Sequence, residues 1–320
     1  GDVPLLIQEV KDPFDAFEFA RTPASEVYKQ IVTDLSDASA LLSEKVAASK
    51  TGSVTSGAAN ALLGKVYLTL KDYSKAELAL KKVIDSKVYK LLDTYAAVFD
   101  VTNKNSAESI FEIQYNKDVT DQGSRFANIF APKGSTEVTG GVGTSLGDNT
   151  PTEDLYGKYE EGDLRRDISI GHISDGRMYC KKFVVAPVLP NQSDANFIVL
   201  RYADVLLMYA EALNENGYKA EGDALNYLND IHRRAGLQAY TANELSNQEL
   251  FREAIWKERR FELAFENHRW FDLLRTGKAM EIMNASANGE FTVEAYQLLF
   301  PIPQSQIDAA PDKMIQNDRY

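Results

Sequence analysis

Residues 57–90 carry the sequence feature that most constrains the fold, a pattern of small residues typical of two helices packed as a hairpin. A Leu-Gly pair ends at Gly64, Tyr67 follows three residues later, and Ala76 lies twelve residues after the glycine. Gly64 and Ala76 lack bulk where the two helices would touch, and Tyr67 would fill the groove beside them. The spacing therefore predicts a close antiparallel hairpin.

A second copy of this pattern lies at residues 201–235. Ala210 stands where the first copy has its glycine, and Ala224 is the small residue of the second helix. The interval between the two is longer than in the first copy, which we interpret as a longer turn. The pattern is typical of the tetratricopeptide repeat, whose stacked hairpins usually number three or more. Two copies indicate that helical hairpins dominate the fold, without indicating a solenoid.

The other segments predict further helices, short strands and one long irregular stretch. Residues 25–46 have apolar residues at helical spacing, and residues 247–268 form the longest predicted helix. Residues 109–115 and 181–185 are rich in β-branched and aromatic residues and predict strands. Residues 116–152 are rich in Gly, Asn, Ser and Thr, and irregular stretches of that length usually carry function or are disordered.

Charge and cysteine content narrow the range of functions. The 47 acidic residues outnumber the 35 basic residues and give a net charge of -12. Such a balance argues against binding to nucleic acid, whose phosphates an acidic surface repels. The single cysteine, Cys180, permits no internal disulfide bond, and we interpret it as an ordinary half-buried thiol.

Residues 143–147 match the Gly-x-Ser-x-Gly nucleophile elbow of serine hydrolases, with Ser145 at the centre. Three histidines, His172, His232 and His268, follow in the order that such an enzyme needs. An elbow requires a buried strand before the serine and a helix directly after it. Gly-rich residues precede Ser145 and a turn-like Asp-Asn-Thr-Pro follows, so the context does not fit. A serine hydrolase stays an alternative that a turnover assay on ester substrates would test.

Glu258, Glu262 and Glu266 recur every four residues, so one helix face carries three carboxylates. The Glu-x-x-His motif of di-metal helical bundles is absent from the sequence, as are the common nucleotide and zinc motifs, so no metal or cofactor is predicted. We interpret the carboxylates as part of a structural ion-pair network in which Glu262 is buried. Four arginines nearby in the sequence are the expected partners: Arg259, Arg260, Arg269 and Arg275.

Residues 249–279 resemble the signature of the SusD/RagB family of bacterial outer-membrane nutrient-binding lipoproteins. That signature has a Glu-Arg pair, a later Glu, and an Arg-Trp-Phe-Asp-Leu segment that runs into Arg-x-Gly. Its elements here are Glu258-Arg259, Glu262, residues 269–273 and residues 275–277. Residues 266–268 replace the usual Gly-Glu before the Arg-Trp pair.

Four other segments carry the same resemblance. Residues 201–215 are similar to the helix of the family's second hairpin, residues 300–303 and 316–320 look like its C-terminus, and residues 1–5 look like a turn that follows its first helices. The resemblance thus covers nearly the whole chain. We expect the chain to be the C-terminal portion of such a protein, without the family's N-terminal helical segment and lipidated cysteine.

The resemblance implies a mainly α-helical, SusD-like fold with minor β-structure. We expect a single domain over residues 1–320, with tetratricopeptide-like hairpins at residues 57–90 and 201–235. An irregular, ligand-facing region is expected at residues 116–200, and a C-terminal signature helix and tail at residues 247–320.

The resemblance also implies a function without catalysis. Family members are surface-exposed lipoproteins of the outer membrane that bind oligosaccharide, or in some members peptide. They form the lid of a TonB-dependent transporter of the SusC type, and the lipid anchor would lie outside this chain. The alternative class is a tetratricopeptide scaffold for protein interactions, which a shallow surface at residues 116–152 without an aromatic cluster would favour.

The ligand site is predicted within residues 115–130, which follow a predicted strand. Sugar recognition needs flat rings that stack on sugar faces, with amides or a guanidinium that bond hydroxyls. Trp256 and Trp270 lie in the signature and are expected in the core, so the platform must be Tyr or Phe. The predicted ligand contacts are Tyr115, Asn116, Arg125, Phe126 and Asn128. The alternative is that Phe126 and Phe130 form a local core under a long loop.

Overall fold

The structure, a computed structural model, describes residues 1–286 and 289–320. The α-helices of the described residues are α1 (Ala24–Leu41), α2 (Ser56–Thr69), α3 (Tyr73–Asp85), α4 (Phe126–Phe130), α5 (Glu153–Gly157), α6 (Arg165–Ser169), α7 (Tyr202–Asn216), α8 (Asp223–Arg234), α9 (Gln248–Glu262), α10 (Arg269–Arg275), α11 (Ala279–Ser286) and α12 (Gln304–Ala309). The strands are β1 (Ser109–Ile113), β2 (Ile170–His172), β3 (Met178–Cys180) and β4 (Phe197–Arg201). The predicted fold class, mainly α with minor β, is confirmed. Residues 287 and 288, inside the predicted C-terminal segment, lie outside the described residues.

The chain forms two compact units, one from Gly1–Asp37 with Trp270–Tyr320 and the other from Ala38–Arg269. In the smaller unit the guanidinium of Arg21 joins the two chain ends, because it donates to the carbonyl oxygen of Ile315 and to Asn317 Oδ1, each at 2.6 Å. The larger unit contains both predicted hairpins and the irregular region. The single domain over residues 1–320 stays a prediction.

Helices α2 and α3 form the first predicted hairpin. The side chain of Thr55 caps α2 by accepting from the backbone N–H of Ala58, and Asp72 caps α3 through the N–H of Lys75. The close approach lies at Gly64, but the nearest side chain across the hairpin is that of Leu80. A Cβ atom on Gly64 would lie 2.4 Å from Leu80 Cγ, so only glycine leaves room for the leucine.

We expect the substitution Gly64→Ala to destabilise the protein by about 1–3 kcal/mol, because Leu80 is fully buried and cannot move aside. Helix propensity alone would predict that the substitution stabilises the protein, since alanine is favoured over glycine in a helix by about 1 kcal/mol. Gly157→Ala in α5 is the matched control, because a Cβ there meets no atom within 4 Å. Chemical denaturation would measure both variants, and equal stabilisation by both would contradict close packing at Gly64.

Helix α7 is the central element of the larger unit. It packs against α2, α3, α8 and α9, and its residues are apolar on nearly every side. Leu207 and Ala210 are fully buried, as expected of a helix surrounded by other helices. With α8, helix α7 forms the second predicted hairpin.

Helix α9 ends at Glu262, so the prediction of one helix over residues 247–268 is wrong at its C-terminal end. Phe265 and Asn267 have left-handed φ angles of 66° and 65°, which a right-handed helix cannot include. Buried cations satisfy the free carbonyl oxygens at this helix end. Lys182 Nζ donates to the carbonyls of Glu262 and Ala264 at 3.2 and 2.8 Å.

Two antiparallel strand pairs, β1 with β4 and β2 with β3, make up the sheet structure. Strand β1 starts where the first strand was predicted and ends at Ile113. The prediction of a strand at residues 181–185 is wrong, because β3 ends at Cys180 and Phe183 has a left-handed φ of 62°. Residues 116–200 otherwise consist of short elements joined by long loops.

Candidate functional site

The backbone of Tyr115 is held on both sides just beyond β1. Its N–H donates to Asn196 Oδ1 at 2.8 Å, and its carbonyl oxygen accepts from Lys104 Nζ at 2.9 Å. Lys104 also pairs with Asp194 at 2.7 Å. Burial opposes ionisation of Asp194, but the bond from Lys104 and the bond from the backbone N–H of Lys117 together outweigh burial and lower the pKa of that carboxyl. The polar residues that hold Tyr115 thus come from chain segments on either side of the predicted site.

The loop after Tyr115 is fixed against the segment at residues 188–194. Ser124 and Ser193 exchange two backbone hydrogen bonds of 2.8 and 3.0 Å, and their hydroxyls lie 2.8 Å apart. Gln192 Nε2 donates to the carbonyls of Val119 and Lys117 at 2.6 and 3.1 Å. This loop therefore takes its shape from polar contacts rather than from regular secondary structure.

Phe126 lies at the centre of a cluster of five aromatic rings. The ring of Tyr115 meets it edge-on with centroids 5.7 Å apart, and Phe130 stacks on it at 5.5 Å. Phe183 and Phe197 complete the cluster at 5.8 and 5.7 Å. Phe130 is buried, as the local-core interpretation expected, whereas Tyr115 and Phe126 are half-buried. Only Phe126 and Phe130 of these rings lie within residues 116–152, and both pack with the buried Phe183, so the tetratricopeptide scaffold stays an alternative.

The five predicted contact residues differ in how the structure places them. It brings Tyr115 and Phe126 into contact, and it leaves Arg125 and Asn116 exposed beside them. The Asn116 side chain accepts from the N–H of Asp118 at 2.9 Å, which fixes the turn of the loop. Asn128 is a correction, because it is only 1% exposed and both atoms of its amide bond to the protein. In this position, the side chain of Asn128 is not available to a ligand.

Neither tryptophan is fully buried, although both were expected in the core. Trp256 is half-buried on α9, with its indole N–H 3.5 Å from Glu211 Oε1. Trp270 is half-buried in the smaller unit and packs against Phe300 at a centroid distance of 6.2 Å.

The geometry contradicts the serine hydrolase alternative. Ser145 is buried in a loop with neither a strand before it nor a helix after it, and its hydroxyl donates to the carbonyl of Ser135 at 2.6 Å. Each histidine is engaged elsewhere. His232 pairs with Glu258, His268 bonds to Lys65, and His172 packs against Tyr156.

Glu262 is fully buried and paired with arginine, as predicted from the sequence. Its Oε1 accepts from Arg201 at 2.6 Å and from Arg234 at 2.5 Å, and its Oε2 accepts from Arg165 at 3.3 Å. Burial alone would raise the pKa of Glu262. The guanidinium groups of Arg234, Arg201 and Arg165 outweigh burial and hold the pKa of Glu262 well below its usual range.

These arginines are not the predicted ones, because none of the three is close in the sequence to Glu258, Glu262 and Glu266. Three of the four predicted partners instead form ion pairs with other carboxylates. Those pairs are Arg259 with Asp204, Arg260 with Asp154, and Arg275 with Asp272. The arginines on Glu262 come from the irregular region, β4 and α8, so one carboxylate joins three parts of the larger unit.

A buried lysine from the irregular region extends this network. Lys182 Nζ pairs with Glu266 at 2.7 Å, and Arg201 Nε pairs with the other oxygen of Glu266 at 2.6 Å. The ammonium of Lys182 also lies 4.7 Å from the ring centroid of Phe99. Lys182 and Arg165 therefore anchor the irregular region to the helical scaffold.

Cys180 is fully buried rather than half-buried, and its burial raises the pKa of the thiol to about 12. A group of three or more His, Cys, Asp or Glu side chains able to hold a metal ion is absent from the described residues. In the described part of the chain, no helix combines the length and the apolar character that crossing a membrane requires.

Together, these features define a helical scaffold protein that carries a loop-built surface of aromatic and polar side chains. The model of the SusD family matches residues 66–320, and a model described as "starch-binding associating with outer membrane" matches residues 1–68. The chain belongs to the SusD family.

Curated relatives agree with this assignment. SusD-like protein P2 of Formosa agariphila is 27% identical over the whole chain, which spans 70% of that protein. A SusD-like protein of Bacteroides ovatus is 29% identical over 78% of the chain, which spans half (50%) of that protein. The chain thus corresponds to only part of its relatives' length.

Solved structures of the family have the same fold. A SusD superfamily protein from Parabacteroides distasonis is 29% identical, with a TM-score of 0.84 over 100% of this chain and 74% of its own. A laminarin-binding SusD-like protein is 28% identical, with a TM-score of 0.82 over 100% and 74% of the two chains. Surface glycan-binding protein A from Bacteroides thetaiotaomicron, in complex with laminarihexaose, is 25% identical, with a TM-score of 0.81 over 93% and 72%.

The sequence provided no motif for the polar residues that hold the site, Lys104, Gln192, Ser193, Asp194 and Asn196. For the last four the only signal is composition, since residues 190–196 repeat the mixture of Asn, Gln, Ser and Asp found at residues 116–128, whereas Lys104 lies in neither segment. The antiparallel pairing of β1 with β4 brings the two polar segments together.

Proposed function

We propose that this chain captures oligosaccharides at the cell surface for uptake and catalyses no reaction on them. Two solved relatives support the proposal, one called laminarin-binding and one in complex with laminarihexaose. The observation that carries it is the surface formed by Tyr115, Asn116, Arg125 and Phe126. It combines a half-buried aromatic pair with an exposed amide and an exposed guanidinium on loops fixed by a rigid scaffold.

These groups match the chemistry of a sugar. The half-buried ring of Tyr115, which Phe126 supports edge-on, would offer an apolar face for stacking on the C–H side of a pyranose. The guanidinium of Arg125 offers several donors in one plane, which suits neighbouring hydroxyls. Because the loops are already held by Gln192 and Ser193, little ordering entropy is lost when a ligand binds.

We further propose that the chain belongs to a surface-exposed lipoprotein of the outer membrane, with a SusC-like TonB-dependent transporter as its partner. The description of the model that matches residues 1–68, which associates its members with the outer membrane, supports this placement. The net charge of -12 is consistent with a partner other than nucleic acid.

The substitution pair Tyr115→Ala with Arg125→Ala is expected to weaken oligosaccharide binding at least about tenfold in the full-length protein. Loss of one stacking ring and one charged donor removes roughly 1.4 kcal/mol or more of binding free energy. Calorimetry with laminarihexaose and a panel of neutral and acidic oligosaccharides would measure the affinity, and circular dichroism would check the fold.

The matched control is Tyr28→Ala with Arg233→Ala, which removes a half-buried tyrosine and an exposed arginine outside the irregular region. This control is expected to leave the affinity unchanged. Unchanged affinity in the Tyr115/Arg125 variant would place the site elsewhere. Failure of the unmodified protein to bind any oligosaccharide of the panel would contradict the proposed function itself.

A further inference from the structure

We propose that Asn128 is a positioning residue, which holds three chain segments together and so sets the shape of the ligand surface without touching the ligand. The segments are α4, residues 142–146 and residues 189–192. This inference rests on the proposed function for its effect on binding, but the locking of the segments can be tested without a ligand.

The amide of Asn128 joins two segments that have no regular structure of their own. Its Nδ2 donates to the carbonyl oxygen of Val142 at 2.8 Å, and its Oδ1 accepts from the N–H of Asn191 at 2.9 Å. The carbonyl oxygen of Asn128 itself accepts from the N–H of Leu146 at 2.9 Å. One residue at 1% exposure thus supplies three hydrogen bonds between α4 and the two segments.

The packing around this amide leaves little room for a different arrangement. A Cβ atom on Gly143 would lie 2.7 Å from Asn128 Nδ2 and 3.2 Å from Pro190 Cα, so the two segments meet at the amide. Gly143 and Asn191 both have left-handed φ angles, of 73° and 63°. Asn191 adopts this less favourable conformation while its N–H bonds to Asn128, so the bond offsets a local strain.

The segments that Asn128 holds also hold the ligand surface. Asn191 is followed by Gln192 and Ser193, whose bonds fix the loop at residues 117–124. Arg125 directly precedes α4, so its position depends on the same helix that carries Asn128. Release of Asn191 would therefore loosen the loop that presents Asn116 and Arg125.

A buried asparagine on the helical scaffold provides a matched control. Asn229 on α8 donates from Nδ2 to the carbonyl of Tyr240 at 2.9 Å and accepts on Oδ1 from the N–H of Tyr240 at 2.7 Å. It is 4% exposed, so its burial and its bonding pattern match those of Asn128. Its bonds lie outside the irregular region. A purely structural role predicts similar results for both residues, whereas positioning predicts a loop effect only at Asn128.

The test compares Asn128→Ala, Asn128→Asp and Asn229→Ala by hydrogen exchange and by calorimetry with the oligosaccharide that the unmodified protein binds. Asn128→Ala is expected to speed exchange of the Asn191, Ser193 and Leu146 amides at least about tenfold and to weaken binding at least about fivefold. Asn229→Ala is expected to leave the exchange of these amides and the binding affinity unchanged, even if it lowers the melting temperature as much as Asn128→Ala does.

Asn128→Asp separates the two side-chain bonds, because an ionised aspartate still accepts from the N–H of Asn191 but has no proton to donate to the carbonyl oxygen of Val142. We expect partial rescue, with protection of the Asn191 amide restored and affinity between the alanine variant and the unmodified protein. Unchanged exchange at residues 142–146 and 189–193 in Asn128→Ala would overturn the inference. Faster exchange with unchanged affinity would also overturn it, whereas an unmodified protein that binds no oligosaccharide would overturn the proposed function alone.

Discussion

Replacement of Glu262 by alanine is expected to lower the free energy of unfolding by about 3–5 kcal/mol, because removal of one partner from a buried ion pair strands the other charges. Glu262 is 0% exposed and accepts hydrogen bonds from Arg165, Arg201 and Arg234. In the alanine variant, Arg234 would keep its ion pair with Glu108, and Arg201 would keep its ion pairs with Glu108 and Glu266. Arg165 would keep Asp163 and Glu258, so the cost arises because each of the three buried guanidinium groups loses one of its carboxylate acceptors.

Thermal unfolding would measure this effect, which corresponds to a fall in melting temperature of roughly 5–10 °C. Glu253→Ala is the matched control, because Glu253 is an exposed carboxylate on the same helix. The control is expected to shift stability by no more than about 0.5 kcal/mol. An unchanged melting temperature for Glu262→Ala would mean that the buried network contributes nothing to stability.

Stability is also expected to fall as the pH decreases from about 6.5 towards 4, and His268 is the main cause. Burial, with Lys65 and Arg259 beside the ring, lowers the pKa of His268 to about 4 against the opposing effect of Asp204. Its Nδ1 lies 3.0 Å from Lys65 Nζ, where a neutral ring can accept a hydrogen bond. An unfolded chain binds a proton on this histidine near pH 6.5. Between these values the unfolded state binds more protons, so acid favours unfolding.

The expected loss across this window is on the order of 3 kcal/mol, from a pKa difference of about two and a half units. Below pH 4, protonation of the carboxylates of Glu262, Glu266 and Asp204 lowers the stability further. Their pKa values are lowered in the folded state, so their contribution is present above pH 4 and lost as they protonate.

Denaturant unfolding at a series of pH values would test the role of His268. His268→Gln is expected to flatten the curve between pH 4 and 6.5, because glutamine does not titrate. His172→Gln is the control, since His172 is exposed on β2 and its replacement is expected to preserve the slope. An equal slope in the His268 variant and the unmodified protein would assign the pH dependence to other groups.

The helical hairpins could be predicted from the sequence because their signals are local. Gly64 and Ala210 mark positions where helices pack closely, and both lie in buried helices. The burial of Glu262 could be predicted for a similar reason. Three carboxylates share one helix face at residues 258, 262 and 266, and a set of that kind indicates a paired structural network.

The candidate site could be predicted only in part. The sequence indicated an aromatic and polar segment after β1, and the structure brings Tyr115 and Phe126 together there. The burial of Asn128 was not predictable, because it depends on Val142 and Asn191, which no periodicity relates to α4.

By itself the sequence determined the mainly helical class and the two hairpins, because periodicity and small-residue spacing are signals within a short stretch of chain. The family resemblance came from the continuous signature at residues 249–279. Tertiary structure alone decided where α9 ends, which arginines neutralise Glu262, and which loops Asn128 joins. Lys182, Arg165 and Arg201 lie some 60 to 100 residues from the groups they bond in α9 and just after it. Such partners are chosen by charge and hydrogen bonding after the chain has folded back, when a buried cation must find a carboxylate or a free carbonyl oxygen.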